Sequence, residues 1–318
     1  MGTGVFAGWR RDLGDQLDNG FHPREIVGDL RAQRNASAAN GGKDSRPITA
    51  IEVNSGMYQR THADDRDSAA NAAERTLTRY SPIVELRRYT LRAGQRDVLI
   101  QLFDEEFIES QESAGMTVIG QFRELDDPNR FLWLRGFADM QTRHDALAAF
   151  YYGPIWREHR DAANATMVDS DDVLLLRPAR QTSGFCLDLK ARPPRGAQEQ
   201  PSVLVVATIL YWSTPPNADF PNLFEHGLVP ILTKQGASIL SSFVTEPSEN
   251  TFRALPVREG EQVFVWFARF DNQATYEAHL AALEKSPEWR EQWTPVADQL
   301  KTRPQIIRLA PTTRSLLR

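Results

Sequence analysis

The sequence predicts an α+β protein in which one ferredoxin-like βαββαβ unit is written twice. Three observations predict it. From Ile83 onward, period-two and helix-period apolar patterns follow one another in the order β-α-β-β-α-β. The same order returns from Val203. The two runs also align residue by residue. Leu102-Phe103 recurs as Leu223-Phe224, Gly115 as Gly236 and Phe122 as Phe243, each 121 positions on. Phe131-Leu132-Trp133 recurs as Phe264-Val265-Trp266, Trp156-Arg157-Glu158 as Trp289-Arg290-Glu291 and Pro178 as Pro311, each 133 positions on. The offset changes once, by 133 − 121 = 12 residues, in the hairpin loop near Glu246–Glu261. An insertion is tolerated best in a surface loop of that kind.

The elements of the first repeat follow in order. Ile83–Thr90 alternates apolar and polar residues, a strand broken at Gly94. Arg96–Ala114 gathers Leu99, Leu102, Phe103 and Phe107 on one stripe, an amphipathic helix stopped by Gly115. Met116–Glu124 is a strand, Asp126-Asp127-Pro128-Asn129 a turn, and Phe131–Phe137 a third strand. Asp139 to about Thr166 reads as a helix interrupted or kinked at Gly153-Pro154. Val173–Leu176 is the fourth strand, closed by Pro178. In the second repeat, Val203–Trp212 is a strand, Phe220–Gln235 a helix and Ala237–Thr245 a strand. Gln262–Phe270 is a strand, Thr275–Leu300 a helix and Gln305–Leu309 the last strand.

The expected divisions are a flexible leader over 1–82, repeat 1 over 83–178, a linker over 179–202, repeat 2 over 203–311 and a tail over 312–318. Across 35–80 only Ile48, Ile51, Val53, Met57, Tyr58, Leu77 and Tyr80 are large and apolar, too few to offset the entropy of ordering the segment. Pro178, Pro193, Pro194 and Gly196 make the linker extended and exposed, with Phe185-Cys186-Leu187 as a piece that could dock.

Composition narrows the function classes. Lys and Arg number 37 and Asp and Glu 42, a net charge of −5, which disfavours a polyanion such as nucleic acid. The single cysteine, Cys186, excludes an intrachain disulfide and a cysteine zinc site. No apolar run reaches the roughly 20 residues that span a bilayer. The N-terminus has no secretory apolar core. A cytoplasmic protein is the expectation.

Strand alternation groups the candidate site. The first strand sets Glu85, Arg87 and Tyr89 on one face, with Val84 and Leu86 on the other. The third sets Trp133 and Arg135 opposite Leu132 and Leu134, and the second carries Gln121. With the apolar sets turned toward the helices, Glu85, Arg87, Tyr89, Gln121, Trp133 and Arg135 line a cavity wall. Aromatic walls with a few convergent polar groups suit a small molecule, and two arginines suit an anionic or enolisable one. Against this stands a plain ion pair at a sheet rim, worth little. In repeat 2 the same positions are Val206, Thr208, Leu210, Ser242, Trp266 and Ala268, so only the tryptophan persists. Trp156 and Trp289 persist in both repeats and read as packing anchors. His144 and His159 become Glu277 and Gln292, and His226 and His279 read as solvated helix positions. No metal-ligand spacing, dinucleotide loop, P-loop or G-x-S-x-G occurs, so neither metal nor cofactor is expected.

The run Val84-Glu85-Leu86-Arg87-Arg88-Tyr89-Thr90-Leu91 resembles the opening strand of the NIPSNAP family. The Gly115 turn, Phe131-Leu132-Trp133-Leu134, Arg143, Trp156 and Leu174-Leu175-Leu176-Arg177-Pro178 fit the same family in order and spacing. The resemblance covers 83–178 well. It covers 203–311 more weakly, through Trp266, Ser286-Pro287-Glu288-Trp289 and Pro311. It implies a fold similar to the dimeric α+β barrels, in which two ferredoxin-like units join their sheets. Physics agrees, because an antiparallel sheet with helices on one face must cover the other. Two repeats allow an internal pseudo-dimer, with pairing between two chains as the alternative. Three functions remain open. One is a small-molecule-binding module. A second is a cofactor-free oxygenase or isomerase, with Glu85 or Tyr89 as base or acid and Arg87 or Arg135 steadying an anion. The third is a non-catalytic interaction scaffold.

Overall fold

The computed structural model of the chain describes residues 78–79 and 81–318. The expectation for the leader falls almost wholly outside them. Its end does not: strand β1 (Thr78–Arg79) pairs with β7 (Leu187–Asp188) of the linker.

The first unit begins with β2 (Ile83–Leu91). Helix α1 follows in three parts, Arg96–Leu102, a π-helical turn Phe103–Phe107, and Ile108–Ser113. Then come β3 (Thr117–Glu124) and β4 (Arg130–Phe137). The second helix is interrupted at Gly153-Pro154, the first of the two alternatives expected, giving α2 (Met140–Tyr151) and α3 (Pro154–Thr166). Pro154 opens α3 at a position where its missing N–H costs nothing. Short β5 (Met167–Asp169) and β6 (Val173–Pro178) close the unit.

The second unit repeats this. It contains β8 (Leu204–Trp212), α4 (Phe220–Leu223, a π-helical turn Phe224–Leu228, Val229–Lys234) and β9 (Ser238–Thr245). It continues with β10 (Gln262–Phe270), α5 (Gln273–Lys285), α6 (Pro287–Ala297) and β11 (Gln305–Pro311). The correspondence reaches details that no periodicity carries. The π turns fall at equivalent residues, each closed by a five-residue bond, Ile108 N–H to the Phe103 carbonyl and Val229 N–H to that of Phe224. Asp139 and Asn272 both cap their helix by accepting from a threonine N–H three residues on. Gly115 and Gly236 both end the first helix at positive φ, 103° and 96°, which favours glycine.

Eight strands pair antiparallel in the ring β4-β3-β11-β8-β10-β9-β6-β2, and the β2–β4 ladder closes it. The barrel is therefore completed within one chain. Its two seams are alike. At one, Pro178 of β6 faces Phe243 of β9; at the other, Pro311 of β11 faces Phe122 of β3. The residue after each proline still bridges its seam, Ala179 N–H donating to the Ser242 carbonyl at 3.0 Å and Thr312 N–H to the Gln121 carbonyl at 2.8 Å.

The interior of the ring is a dry core. Val84, Leu86, Phe122, Leu132, Leu134, Val205, Ile209, Phe243, Val265 and Phe267 fill it from both units. This reverses the expected facing. The apolar sets Val84/Leu86 and Leu132/Leu134 point into the barrel, and the polar sets point toward the helices. An eight-stranded barrel is just wide enough to be filled by side chains, so its interior takes the all-apolar face. The linker also differs from an exposed tether, since Phe185 and Leu187 enter the barrel core and only Cys186 between them is exposed. The 312–318 segment is packed as well: Thr312, Arg314, Ser315 and Leu317 are buried. Ser315 Oγ accepts from Gln121 N–H at 3.2 Å. Among the described residues no helix is long and apolar enough to cross a membrane.

Candidate functional site

Each unit holds a slot between the outer face of its sheet and its helices. In the first unit β2 and β4 supply the sheet wall. Register places Glu85 opposite Arg135, and Arg87 opposite Trp133. Cross-strand partners share a face, so these four side chains meet under α1 and α2.

Glu85 is the centre. It is fully buried, and three arginines converge on it. Arg135 Nε donates to Oε2 at 2.7 Å, Arg87 Nη1 to Oε2 at 2.8 Å and Arg143 Nε to Oε1 at 2.7 Å. All three guanidiniums are buried to 1% exposure or less. Neutral acceptors take some of the remaining N–H groups. Tyr89 Oη accepts from Arg87 Nε at 3.0 Å, Gln111 Oε1 from Arg135 Nη1 at 3.3 Å and Tyr151 Oη from the same nitrogen at 3.4 Å. Arg135 also lies over the Trp133 ring, 5.0 Å from its centroid. Two guanidinium nitrogens are left over: Arg135 Nη2 and Arg143 Nη2 are buried without a hydrogen-bond partner among the described residues.

The electrostatics follow. Burial pushes the Glu85 carboxyl up, but Arg135, Arg87 and Arg143 together outweigh it and hold the group far below the usual carboxylate range. Burial works against the Arg87 cation, and Tyr89 and Glu85 overcome it, raising its pKa. For Arg143 burial wins, and the neighbouring Arg135 and Arg87 add to the lowering. Among the described residues Glu85 is the one carboxylate in contact, so three cations against one anion leave two positive charges uncompensated in the slot. Asp171, the next carboxylate that feels Arg87, sits at the surface.

Beside the cluster lies a cavity of about 30 Å³, walled by Tyr89, Phe103, Gln111, Trp133, Tyr151 and Trp156 among others. It is room for about two waters by the volume one water needs. Part of the cover comes from the other unit. The twelve extra residues of the β9–β10 hairpin reach across, and Asn250 Oδ1 accepts from Arg143 Nη1 at 3.0 Å. Thr251 Oγ1 accepts from the same nitrogen at 3.2 Å. Phe252 stacks on Tyr151 with centroids 6.1 Å apart and packs, with Leu255, into the helix-side core of the first unit.

The structure brings together five of the six sequence-grouped residues, Glu85, Arg87, Tyr89, Trp133 and Arg135. Gln121 shares their face, opposite Trp133, but its side-chain nitrogen and oxygen touch no polar partner. Sequence grouping missed Gln111, Arg143, Tyr151, Asn250 and Thr251 as site residues. One signal was present for Arg143, which occupies a position in the stripe Arg143, Ala146, Leu147, Phe150 that is otherwise apolar. A charge inside such a stripe needs a buried partner. Asn250 and Thr251 carried no such signal, because only the tertiary fold brings their loop to the other unit. Two side-chain readings are corrected. His279 is buried, not solvated, at 5% exposure. The Glu85 pair is not a rim ion pair but the most enclosed polar cluster of the unit. No cluster of three or more His, Cys, Asp or Glu suited to a metal occurs among the described residues.

With a βαββαβ unit, its barrel partner and this polar slot described, the first unit can be compared with known proteins. Residues 84–182 match the NIPSNAP family model. The NIPSNAP match spans the first unit and the start of the linker; the second unit lies outside it. Among solved structures, a NIPSNAP family protein of unknown function from Agrobacterium tumefaciens str. C58 is 21% identical, covering 32% of this chain and 93% of its own, with a TM-score of 0.30. A protein from Lactobacillus acidophilus NCFM, provisionally assigned as a monooxygenase, is 14% identical over 75% of this chain and 99% of its own, with a TM-score of 0.46. An anthrone oxidase-like protein is 12% identical over 72% and 91%, with a TM-score of 0.45. No curated protein matches the chain.

Proposed function

We propose that the NIPSNAP unit binds a small anionic molecule at the Glu85, Arg87, Arg135 and Arg143 cluster. One observation carries the reading: among the described residues Arg135 Nη2 and Arg143 Nη2 are buried without partners, in a slot with three cations and one carboxylate. Leaving buried charge unpaired is expensive, and a carboxylate or phosphate oxygen is the acceptor that guanidinium geometry matches best. The aromatic walls then take the body of the ligand, and the repeat 2 hairpin covers it. Glu85 serves as the internal counter-ion that gathers the arginines. Held so far below the usual range, its carboxylate is a weak base, and Tyr89 is raised by burial, which makes it a weak acid. Both facts favour binding over a cofactor-free proton-transfer reaction centred on Glu85.

The test is calorimetry with the whole chain against formate, acetate, malonate and inorganic phosphate, each set against a neutral counterpart such as acetamide. The anions are expected to bind and to raise the melting temperature; the amides are not. Arg135→Met or Arg143→Gln should weaken anion binding at least tenfold. Native mass spectrometry of the purified protein would show an acid already retained. If amide and acid bind alike, or no anion binds and none is retained, the reading fails.

A further inference from the structure

The polar cluster of the first slot is sealed. Glu85, Arg87, Arg135 and Arg143 are each at 1% exposure or less, so nothing reaches them unless part of the cover moves. Among the described residues two segments without regular structure meet the cluster, one at each end. At the Arg87 end lies 170–172, between β5 and β6, where the Ser170 carbonyl accepts from Arg87 Nη2 at 3.5 Å. At the Arg143 end lies the loop 247–257 of the β9–β10 hairpin. The helices over the cluster pack into the helix-side core through Leu99, Phe103, Phe107, Leu147 and Phe150. Lifting a helix would undo that core, so a loop is the cheaper part to move.

The loop 247–257 can move as one piece. Its feet are fixed to β6: Glu246 N–H donates to the Leu175 carbonyl at 2.9 Å and Arg258 N–H to that of Val173 at 2.8 Å. Among the described residues no backbone–backbone hydrogen bond joins 247–257 to the first unit. Asn250 folds the loop from within. Its Oδ1 accepts from Phe252 N–H at 3.1 Å, and its Nδ2 donates to the Leu255 carbonyl at 2.8 Å. The same Oδ1 and Thr251 Oγ1 are the acceptors for Arg143 Nη1. Thr251 is exposed, so a single residue stands between Arg143 Nη1 and solvent. When the loop lifts, Nη1 loses both acceptors and joins Nη2 as an open pair, which matches a carboxylate or phosphate through two parallel bonds. Phe252 and Leu255 leave the helix-side core at the same time, which keeps the open form a minor population. Charge also favours this end. The loop carries one Glu249 and one Arg253, whereas the other end carries Asp169, Asp171 and Asp172, which repel an approaching anion.

We propose that loop 247–257 is the gate of the first slot, held shut by Asn250 and Thr251 on Arg143. What passes the gate rests on the anion reading above; the opening itself does not. The second repeat thus controls access to the site of the first. The equivalent hairpin of the first unit turns within residues 125–129 and lacks the twelve extra residues, so the second slot has no such gate.

Phenylglyoxal, which modifies accessible guanidinium groups, reads the opening without any anion. The whole chain is labelled and the modified arginines are located by peptide mass spectrometry. Asn250→Ala is expected to speed labelling of Arg143 about tenfold or more, and Thr251→Val, which removes one acceptor, about threefold. Asp169→Ala loosens the opposite end, where the Asp169 carboxylate accepts from Asp171 N–H at 3.0 Å, and should leave Arg143 unchanged. Arg314, buried in the C-terminal segment at 3% exposure, is the internal control, because global unfolding would expose it together with Arg143. The proposal is overturned if Arg143 labels no faster in the two loop variants than in the unmodified chain, if Arg314 keeps pace with it, or if Asp169→Ala speeds it as much as Asn250→Ala. Saturating inorganic phosphate should slow the labelling of Arg143, and its failure to do so would count against the anion reading alone.

Discussion

In the first unit the space between sheet and helices holds Glu85 and three arginines; in the second the same space holds Val206, Thr208, Ala268 and Tyr276. Backbone, π turns, caps and seams are shared, so the scaffold does not require the charges. A buried ion cluster is poor evidence for stability, since apolar replacements of similar volume serve as well or better. The difference therefore teaches that stability does not account for the cluster, which suits the anion site proposed above. It also separates two kinds of residue that look alike in a sequence. Trp133 and Trp266 persist because both slots need a wall, whereas Glu85 and Arg135 vanish without disturbing the fold around them.

The sharpest way to break this contrast is at Glu85. Glu85→Gln removes the only anion among the described residues in contact with three buried cations, and the expected loss is about 3–5 kcal/mol in denaturant unfolding. The fourfold replacement Glu85→Val, Arg87→Thr, Arg135→Ala and Arg143→Tyr writes the second slot into the first and should be more stable than Glu85→Gln alone. A fourfold variant less stable than the single one would show that the scaffold does depend on the charges.

The hairpins give the next largest effect. Phe252 is buried against Tyr151 in the other unit, so Phe252→Ala should cost about 3 kcal/mol, near the low end for a buried phenylalanine. Leu125 in the short hairpin of the first unit is 48% exposed, and Leu125→Ala should change stability by no more than about 0.5 kcal/mol. Equal losses in the two would remove the asymmetry between a capped and an uncapped slot.

The smallest effect is a pH dependence at the π turns. Burial pushes the Asp104 carboxyl up to about 6, with Arg314 holding it back. Its folded pKa thus exceeds the unfolded one, and from about pH 4 to about 6 the folded protein binds the extra proton. Stability from this group falls as pH rises through that window and stays lower above it. Asp104→Asn should be slightly stabilising at pH 7 and should flatten the pH profile between these limits. The equivalent residue of the second π turn, Glu225, is exposed. A profile that Asp104→Asn does not alter would place its carboxyl in ordinary solvent.

Much of the fold was legible. Apolar periodicity and glycine or proline stops marked every strand of the ring and both helix layers, since each element obeys its own period. The π turns were not, because a five-residue bond leaves no trace in composition. Part of the site was legible for the same reason as the strands: alternation put Glu85, Arg87 and Tyr89 on one face. Which way that face points was not. Alternation sorts side chains into two sets, but here both sets are buried, so polarity no longer marks the solvent side. Arg143 showed itself only as a charge in an apolar stripe. Asn250 and Phe252 come from more than 100 residues away and needed the closed ring to be seen.

The hairpin that carries Asn250 also orders events in time. The last residue of the first unit, Pro178, is made well before Glu261, the end of the hairpin that covers its slot. At the usual 5–20 residues per second of synthesis, the gap between them is on the order of 4–17 s. For that interval the nascent first unit has its arginines but not its complete cover, and β11, the strand of its other seam, is made later still. On the proposed function, anion capture matures late, when translation has supplied the second repeat. Residues 83–182 made alone would remain at that earlier stage.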